Sequence, residues 1–159
     1  MKRFYKDPNL AIAHNEFANG RRELVISPGY GDFRKTFLRT PQRAEEMLKA
    51  SPECVLYAAC MMSNVETDPD VCHQAGDMLV RAVKSGVSAA HSLHVIAGVM
   101  MTDEFSSIRA KAADIIALCA EAGNDISRAM PALEAALSDR SSEVRANARR
   151  ALEAANRIS

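Results

Sequence analysis

One apolar pattern occurs three times after residue 70, and it constrains the fold more than any other feature of the sequence. The copies begin at Val71, Ile108 and Val144, with spacings of 37 and 36 residues, and each has apolar residues at offsets 0, 4, 7, 8 and 11. These offsets lie on one face of an α-helix. A helical pattern with this period predicts a stack of repeated helical units.

The segments between these helices keep the same register. Gly86 and Gly123, which are 37 residues apart, each follow one of the helices where a left-handed residue commonly ends a helix. Ser88 and Asp125 come two residues later and are suited to be N-caps. The sequence therefore predicts a helix end and a new helix start at the same place in successive units.

A second apolar segment precedes each copy, so each unit is expected to contain a helix A, a short polar loop and a helix B. Alanine occupies offset 4 in all three B helices, at Ala75, Ala112 and Ala148, which leaves room for close helix approach. The predicted helices lie near residues 52–64, 70–84, 88–101, 107–121, 126–138 and 143–157.

Residues 131–155, PALEAALSDRSSEVRANARRALEAA, resemble a HEAT repeat unit. The period and the VR…A..AL pattern favour HEAT units over tetratricopeptide units, which have a period of 34 residues, and over armadillo units, which have a third helix. The resemblance implies an all-α fold, a short α-solenoid of about three HEAT-like helix pairs over residues 41–159, with residues 1–40 as an N-terminal cap or arm. The inner-face residues that it implies for the last unit are Leu133, Leu137, Ala148, Ala151 and Leu152.

In HEAT repeats a loop aspartate and an arginine near the start of helix B commonly form a ladder along the stack, and the resemblance implies such a ladder here. Asp139 and Arg145 match these positions in the last unit, and Asp103 and Arg109 match them in the unit before. In the first unit Cys72 replaces the arginine, so the ladder is expected to stop there.

Residues 1–40 do not continue the repeat. The segment 7–20 is expected to form a helix, 21–27 a short extended piece, and SPGYG at 27–31 a turn. Thr40 is suited to cap a further short helix.

Charge is unevenly distributed in a chain that is neutral as a whole. Residues 1–43 contain nine Lys/Arg and four Asp/Glu, residues 44–139 six and fourteen, and residues 140–159 five and two. The acidic middle argues against a long nucleic-acid groove, whereas the basic ends are suited to an anionic partner. The candidate binding residues are Arg109, Arg145, Arg149 and Arg150.

No motif for catalysis or metal binding is recognised. The four cysteines lie in apolar helical patterns typical of reduced, buried thiols. His91 and His94 are three residues apart on a predicted helix, but no further ligand lies nearby in sequence. We therefore predict no catalytic residue, no metal site and no cofactor, and expect the protein not to be an enzyme.

The leading hypothesis is a non-catalytic protein–protein interaction module, an adaptor, regulator or complex subunit, that binds its partner on the B-helix surface, since solenoid surfaces are suited to binding proteins. Two alternatives remain open: a nucleic-acid-associated HEAT-like protein that uses its basic ends, and an enzyme related to the HEAT-containing bilin lyases.

The N-terminus lacks the apolar segment of a signal peptide, and no stretch approaches the roughly 20 apolar residues of a membrane span. These observations predict a cytoplasmic protein without membrane association. Small residues, Ala146 and Ala154, are expected among charges on the outer face of the last helix. They suggest a homodimer through the C-terminal end.

Overall fold

The computed structural model describes residues 2–6, 12–16, 22–26, 28–63, 66 and 68–158, with side chains only between residues 29 and 157 of these ranges. The internal contacts divide the chain into two units, Met1–Tyr57 and Ala58–Ser159. The division falls inside one helix, Pro52–Met62.

The first unit begins with a three-stranded antiparallel sheet in the order β1-β2-β3. Ile12 pairs with Ile26 at one end of the β2–β3 ladder. The extended piece predicted at 21–27 is confirmed in β3. The strands are β1 (Lys2–Lys6), β2 (Ile12–Glu16) and β3 (Arg22–Ile26).

The helix predicted over residues 7–20 is wrong where β2 lies, and the rest of that segment lies outside the described residues. The prediction depended on capping signals at the two ends of the segment. Pairing of β2 with a strand on each side gives its backbone N–H and C=O groups hydrogen-bond partners in a different way. Long-range pairing of this kind cannot be read from capping residues.

Three helices complete the first unit, and each begins with a proline, which fits the first helical position because its missing N–H is not needed there. The turn predicted at 27–31 is wrong, because the proline of SPGYG starts α1. Thr40 does not cap α2 through its side chain; its hydroxyl donates to the Thr36 carbonyl at 3.2 Å. The helices are α1 (Pro28–Arg39), α2 (Pro41–Ala50) and α3 (Pro52–Met62).

An aromatic cluster forms the centre of the first unit. Phe33 is buried between the ring of Phe37, at a centroid distance of 6.5 Å, and the ring of Tyr57, at 6.0 Å. Tyr30 meets Tyr57 edge-on at 6.0 Å. Aromatic pairs at these distances add to the stabilisation that burial alone provides. Most of the aromatic residues whose side chains are described therefore serve packing.

The second unit continues with five α-helices, and in two of them a short 3₁₀ turn leads into the helix. All six helices predicted from the repeat are confirmed within a few residues of their expected ends. From Pro28 to Ile158 every regular element described is helical. The elements are α4 (Pro69–Lys84), α5 (Leu93–Thr102, after the turn Ala90–Ser92), α6 (Ser106–Glu121), α7 (Met130–Ala136, after the turn Ser127–Ala129) and α8 (Ser142–Ile158).

The packing of the second unit follows the A and B assignment. The A helices α5 and α7 contact one another, and each packs on the B helix that follows it, α6 or α8. The central B helix, α6, contacts both α4 and α8. The first residues of the three repeat copies, Val71, Ile108 and Val144, are all buried, as predicted.

The loops that join α4 to α5 and α6 to α7 have the same structure. Gly86 and Gly123 have positive φ angles of 103° and 85°, which a residue with a side chain rarely adopts. Ser88 Oγ accepts a hydrogen bond from the Ala90 N–H at 3.3 Å, and Asp125 Oδ1 accepts one from the Ser127 N–H at 2.9 Å. The predicted helix ends are therefore confirmed. The N-cap prediction is wrong, because the residues in the N-cap positions are Ala89 and Ile126, and Ser88 and Asp125 lie one residue earlier, where each accepts a bond within the loop.

Three side chains in the last helix pair depart from their expected environments. Leu137 was expected on the inner face, but it is 37% exposed because α7 ends at Ala136 and the next residue lies in the turn. Leu152 is only partly buried. Ala154, expected on the outer face of α8, is 4% exposed and belongs to the core.

Candidate interaction surface

The loop that joins α5 to α6 lies beside the loop that joins α7 to α8, and one arginine contacts both loops. We call the surface formed by residues 101–105 and 137–141 the A–B loop edge. Arg109, near the start of α6, donates from Nε to Asp139 Oδ2 at 3.0 Å and from Nη2 to Asp139 Oδ1 at 3.1 Å. Its Nη1 donates to the Asp103 and Glu104 carbonyls at 2.9 and 3.3 Å. Arg109 therefore joins the two loops of the edge.

The Arg109–Asp139 pair is well shielded from water. The two side chains are 9% and 14% exposed, and the contact is bidentate, which is the strongest geometry for an arginine and a carboxylate. The hydrogen bond from Arg109 holds the pKa of Asp139 below its ordinary value, and the same bond raises the pKa of Arg109. All three guanidinium nitrogens are engaged, so this candidate binding residue has a structural role.

Arg145, at the equivalent position of the next repeat copy, makes the same two bonds to loop carbonyls that Arg109 makes. Its Nη1 donates to the Asp139 carbonyl at 2.7 Å and to the Arg140 carbonyl at 3.1 Å, six and five residues earlier, as Arg109 does in its own loop. Among the side chains that the structure describes, no carboxylate contacts Arg145. This partly buried candidate residue therefore presents Nε and Nη2 without the carboxylate that Arg109 has.

Cys72 occupies the equivalent position in the first copy of the pattern. Its thiol is buried and lies 3.6 and 3.8 Å from the Ser63 and Glu66 carbonyls. Burial, followed by the nearby carboxylates of Asp103 and Glu66, raises the pKa of the thiol to about 11. The cysteine cannot supply a positive charge, so Asp103 receives no arginine in the manner of Asp139.

Ion pairs cross the B-helix layer. Lys111 on α6 contacts Asp77 on α4 at 2.7 Å, and Arg150 on α8 contacts Asp114 and Glu121 on α6 at 2.6 and 2.5 Å. Arg150 is one of the candidate binding residues predicted from the sequence, but its acidic partners were not predicted. The signal was present, because Asp77 and Asp114 occupy the same position in successive copies of the pattern.

The contact between α4 and α6 and the contact between α6 and α8 have different side chains at equivalent positions. Lys111 reaches the His73 carbonyl at 3.4 Å, and its stem passes over Gly76, where an added Cβ would lie 2.5 Å from Lys111 Cδ. At the equivalent position of the next repeat copy, the shorter Asn147 donates to the Ala110 carbonyl at 3.1 Å. Alanine, Ala113, stands at the position of the glycine. A long side chain is thus matched with glycine and a short one with alanine.

One serine–histidine contact lies beside this lysine. His73 Nε2 lies 3.2 Å from Ser107 Oγ, and His73 Nδ1 lies 3.3 Å from Lys111 Nζ. An ammonium group only donates, so Nδ1 accepts and the ring proton lies on Nε2, which then donates to the serine. In this arrangement the imidazole cannot take the serine proton, as nucleophilic catalysis requires. The contact is a structural bridge between α4 and α6.

The outer side of α8 differs from the corresponding side of α6. On α6, the side that faces α8 includes the buried alanines Ala110, Ala113 and Ala117, beside the two carboxylates that pair with Arg150. The equivalent positions on α8 are exposed and mostly charged: Ala146, Arg149 and Glu153. Arg149, a candidate binding residue, therefore lies in solvent on the outer side of the last B helix.

The exposed apolar side chains lie on the A–B loop edge and not on the B helices. Of the four large apolar side chains that are exposed among those described, Met101, Phe105 and Leu137 lie on this edge, with exposures of 57%, 42% and 37%. Met101 and Leu137 are 36 residues apart and occupy equivalent positions. The fourth, Leu38, belongs to the first unit. This edge was not predicted from the sequence, because apolar periodicity does not show that α7 ends before Leu137 or that Met101, in the last turn of α5, is exposed.

The cysteines have no reactive surroundings. All four are free and buried, and burial raises the pKa of Cys54, Cys60 and Cys119. Thiols held in the protonated form are poor nucleophiles and poor metal ligands. Within the ranges described, no group of three or more His, Cys, Asp or Glu residues is arranged to hold a metal ion.

None of the helices in the described ranges has the length and apolar character needed to cross a bilayer. No protein-family model matches the chain, and no curated protein is significantly similar to it.

Proposed function

We propose that the chain is a non-catalytic protein–protein interaction module, an adaptor, regulator or complex subunit, built as a short HEAT-like stack with residues 1–40 as its cap or arm. The observation that carries this proposal is the row of exposed apolar side chains Met101, Phe105 and Leu137 on the A–B loop edge. Single exposed apolar residues are ordinary, but these three share one edge, and two of them, Met101 and Leu137, are at equivalent positions of adjacent copies, which favours an interaction site.

The stack itself is part of this proposal. It is supported by the alternation of A and B helices, by the packing of α6 against both neighbouring B helices, and by the Arg109–Asp139 pair between two loops. Four buried, free cysteines favour a reducing compartment such as the cytoplasm.

The proposed contact surface differs from the B-helix surface expected from the sequence. The B helices expose no large apolar side chain among the residues described. Their Lys111 and Arg150 side chains are paired with carboxylates of the neighbouring B helix. Side chains already held in ion pairs must be desolvated or released before a partner binds, which costs free energy. The loop edge is therefore the better contact surface.

The test is affinity purification of the tagged full chain from its native host, with and without nuclease. The edge variant carries Met101→Ser, Phe105→Ser and Leu137→Ser, and the matched control is Leu38→Ser, which changes the remaining exposed apolar residue. We expect nuclease-resistant partners that the edge variant loses and the control retains. If both variants retain the same partners, or if no partner is recovered, the proposal is wrong.

The nucleic-acid alternative is less favoured, because the lysine and the arginine that cross the B-helix layer, Lys111 and Arg150, are each paired with a carboxylate. Among the described residues of the B helices, these two cations are therefore not free to contribute to a continuous basic stripe. A gel-shift assay of the wild-type chain at about 150 mM salt decides this point: affinity tighter than roughly micromolar exceeds ordinary non-specific association and would favour the nucleic-acid function.

A further inference from the structure

The two arginines at equivalent positions on α6 and α8 make the same backbone contacts but differ in their contacts with carboxylates. The Nη1 group of each donates to two consecutive carbonyls of the preceding loop. Arg109 also holds a carboxylate between Nε and Nη2, whereas Arg145 has none among the described side chains. The molecule thus contains both an occupied and an open form of the same site.

We propose that Arg145 binds a carboxylate of an acidic segment in a partner protein, an Asp or Glu side chain with an apolar neighbour that packs on Leu137. This inference rests on the proposed interaction function and names the chemistry of the partner.

The carboxylate follows from the geometry of the guanidinium. A planar arginine fork matches a carboxylate bidentately, and Arg109 with Asp139 shows this match in the same backbone setting. The two carbonyl contacts of Nη1, at 2.7 and 3.1 Å, orient the guanidinium of Arg145, and with it Nε and Nη2, before any partner binds. A pre-oriented side chain loses less conformational entropy on binding. The nearest loop carboxylate, that of Asp139, is already bound to Arg109.

The occupant is a segment and not a further stacked helix pair. A helix pair packed on α8 in the way that α8 packs on α6 would bury the side of α8 that carries Arg149 and Glu153. On α6 the equivalent positions are alanines, Ala113 and Ala117, which permit that approach. Burying unpaired charges is costly, so the outer side of α8 disfavours a second copy of the chain or another repeat unit.

The loop edge also supplies apolar contacts in line with Arg145. Leu137 lies two residues before Asp139, whose carbonyl holds Arg145, and Met101 is its equivalent in the adjacent unit. Neighbouring helices lie about 8–10 Å apart, and an extended segment advances about 3.3 Å per residue. A segment that runs along the edge therefore places apolar residues about three positions apart, with the acidic residue beside the one that contacts Leu137.

The probe is a library of random 12-residue peptides displayed on phage and selected against the full chain. Selected peptides are then synthesised, and their dissociation constants are measured by fluorescence anisotropy. We expect an Asp or Glu beside an apolar residue, and an Asp→Asn or Glu→Gln change in the peptide that weakens binding at least about tenfold. Arg145→Ala should weaken binding similarly, and Arg145→Lys, which keeps the charge but removes the fork, should weaken it partly.

The matched control is Arg149→Ala, an exposed arginine one turn further along α8, which should change the dissociation constant by less than about twofold. Circular dichroism melting establishes that each variant is folded, and Arg145→Lys provides the comparison if Arg145→Ala is not.

Peptides that bind without an acidic residue, or equally well to the Arg145 variants, would overturn this inference and leave the proposed function standing, because the chain would still bind a protein segment. Failure to select any peptide also overturns it. The proposed function is then judged separately by the partner purification with the edge variant.

Discussion

Two aspartates in equivalent loops allow the charge pair at Arg109 to be separated from a loop hydrogen bond that both aspartates accept. Asp103 Oδ1 accepts a hydrogen bond from the Phe105 N–H at 2.9 Å, and Asp139 Oδ1 accepts one from the Ser141 N–H at 2.8 Å. Only Asp139 also binds an arginine. An asparagine retains the oxygen that accepts the backbone bond but loses the charge, so the same substitution at the two sites isolates the ion pair.

We expect Asp139→Asn to lower the free energy of unfolding by about 1.5–3 kcal/mol, since a shielded arginine loses its counter-charge. Asp103→Asn should change it by less than about 0.5 kcal/mol. Urea denaturation of both variants measures the difference. Equal effects at the two positions would mean that the Arg109 pair adds nothing to stability beyond the loop hydrogen bond.

The same pair makes stability depend on pH in the acidic range. The pKa of Asp139 is lower in the folded protein than its unfolded value of about 3.9. Its contribution is therefore fully present above the unfolded pKa and is lost as the pH falls through the lower, folded pKa. The gap in stability between wild type and Asp139→Asn should be constant from about pH 5 upward and shrink below about pH 4. A gap that stays constant down to pH 2 would contradict this.

At the scale of the elements, the close-approach alanines give the most direct test of packing. Ala148 is fully buried on α8, whereas Ala146 on the same helix is exposed. Ala148→Leu should overpack the core and cost about 1–3 kcal/mol, while Ala146→Leu should stay within about 0.5 kcal/mol. Chemical denaturation compares the two variants, and an unchanged midpoint for Ala148→Leu would count against this packing.

The helices were predictable because a buried helix face imposes a period of 3.6 residues on the apolar side chains. The copies that begin at Val71, Ile108 and Val144 follow this period. The glycines at the ends of α4 and α6 were predictable because a positive φ favours glycine. The exposure of Leu137 was not predictable, since it depends on where α7 ends. The burial of Ala154 was not predictable either, since it lies outside the apolar offsets of the repeat.

The strand β2 was likewise hidden from the sequence, because it depends on pairing with segments on both sides. Of the candidate binding residues, Arg109 and Arg150 were recognisable as charged, but their ion pairs depend on carboxylates 29 to 36 residues away. The one sequence feature that indicates such partners is the spacing of the aspartates, since Asp77 and Asp114 occupy the same position in successive copies.

At the scale of the whole molecule, the structure gives little support to the homodimer suggested by the sequence. Of the two small residues expected on the outer face of α8, only Ala146 is exposed, and its neighbours on that side are charged. A stable interface needs an apolar centre of substantial area.

We therefore expect sedimentation equilibrium at high micromolar concentration to give a monomer near 17.3 kDa. A dimer that Arg149→Ala or Glu153→Ala alters would show that the charged side of α8 is an interface after all. Such a result would also remove the argument that favours an acidic segment at Arg145 over a second copy of the chain.

The matching of Lys111 with Gly76, and of Asn147 with Ala113, has a consequence for how such a protein can diversify. If α8 were exchanged for a second α6, the lysine stem would meet the Cβ of Ala113 where the native chain has only the small Asn147. Each junction is thus adjusted to its own pair of side chains, and the exchanged helix would fit only after the lysine side chain had moved. Changes at exposed loops meet no such requirement, so we expect them to be tolerated more readily than the exchange of whole helix pairs.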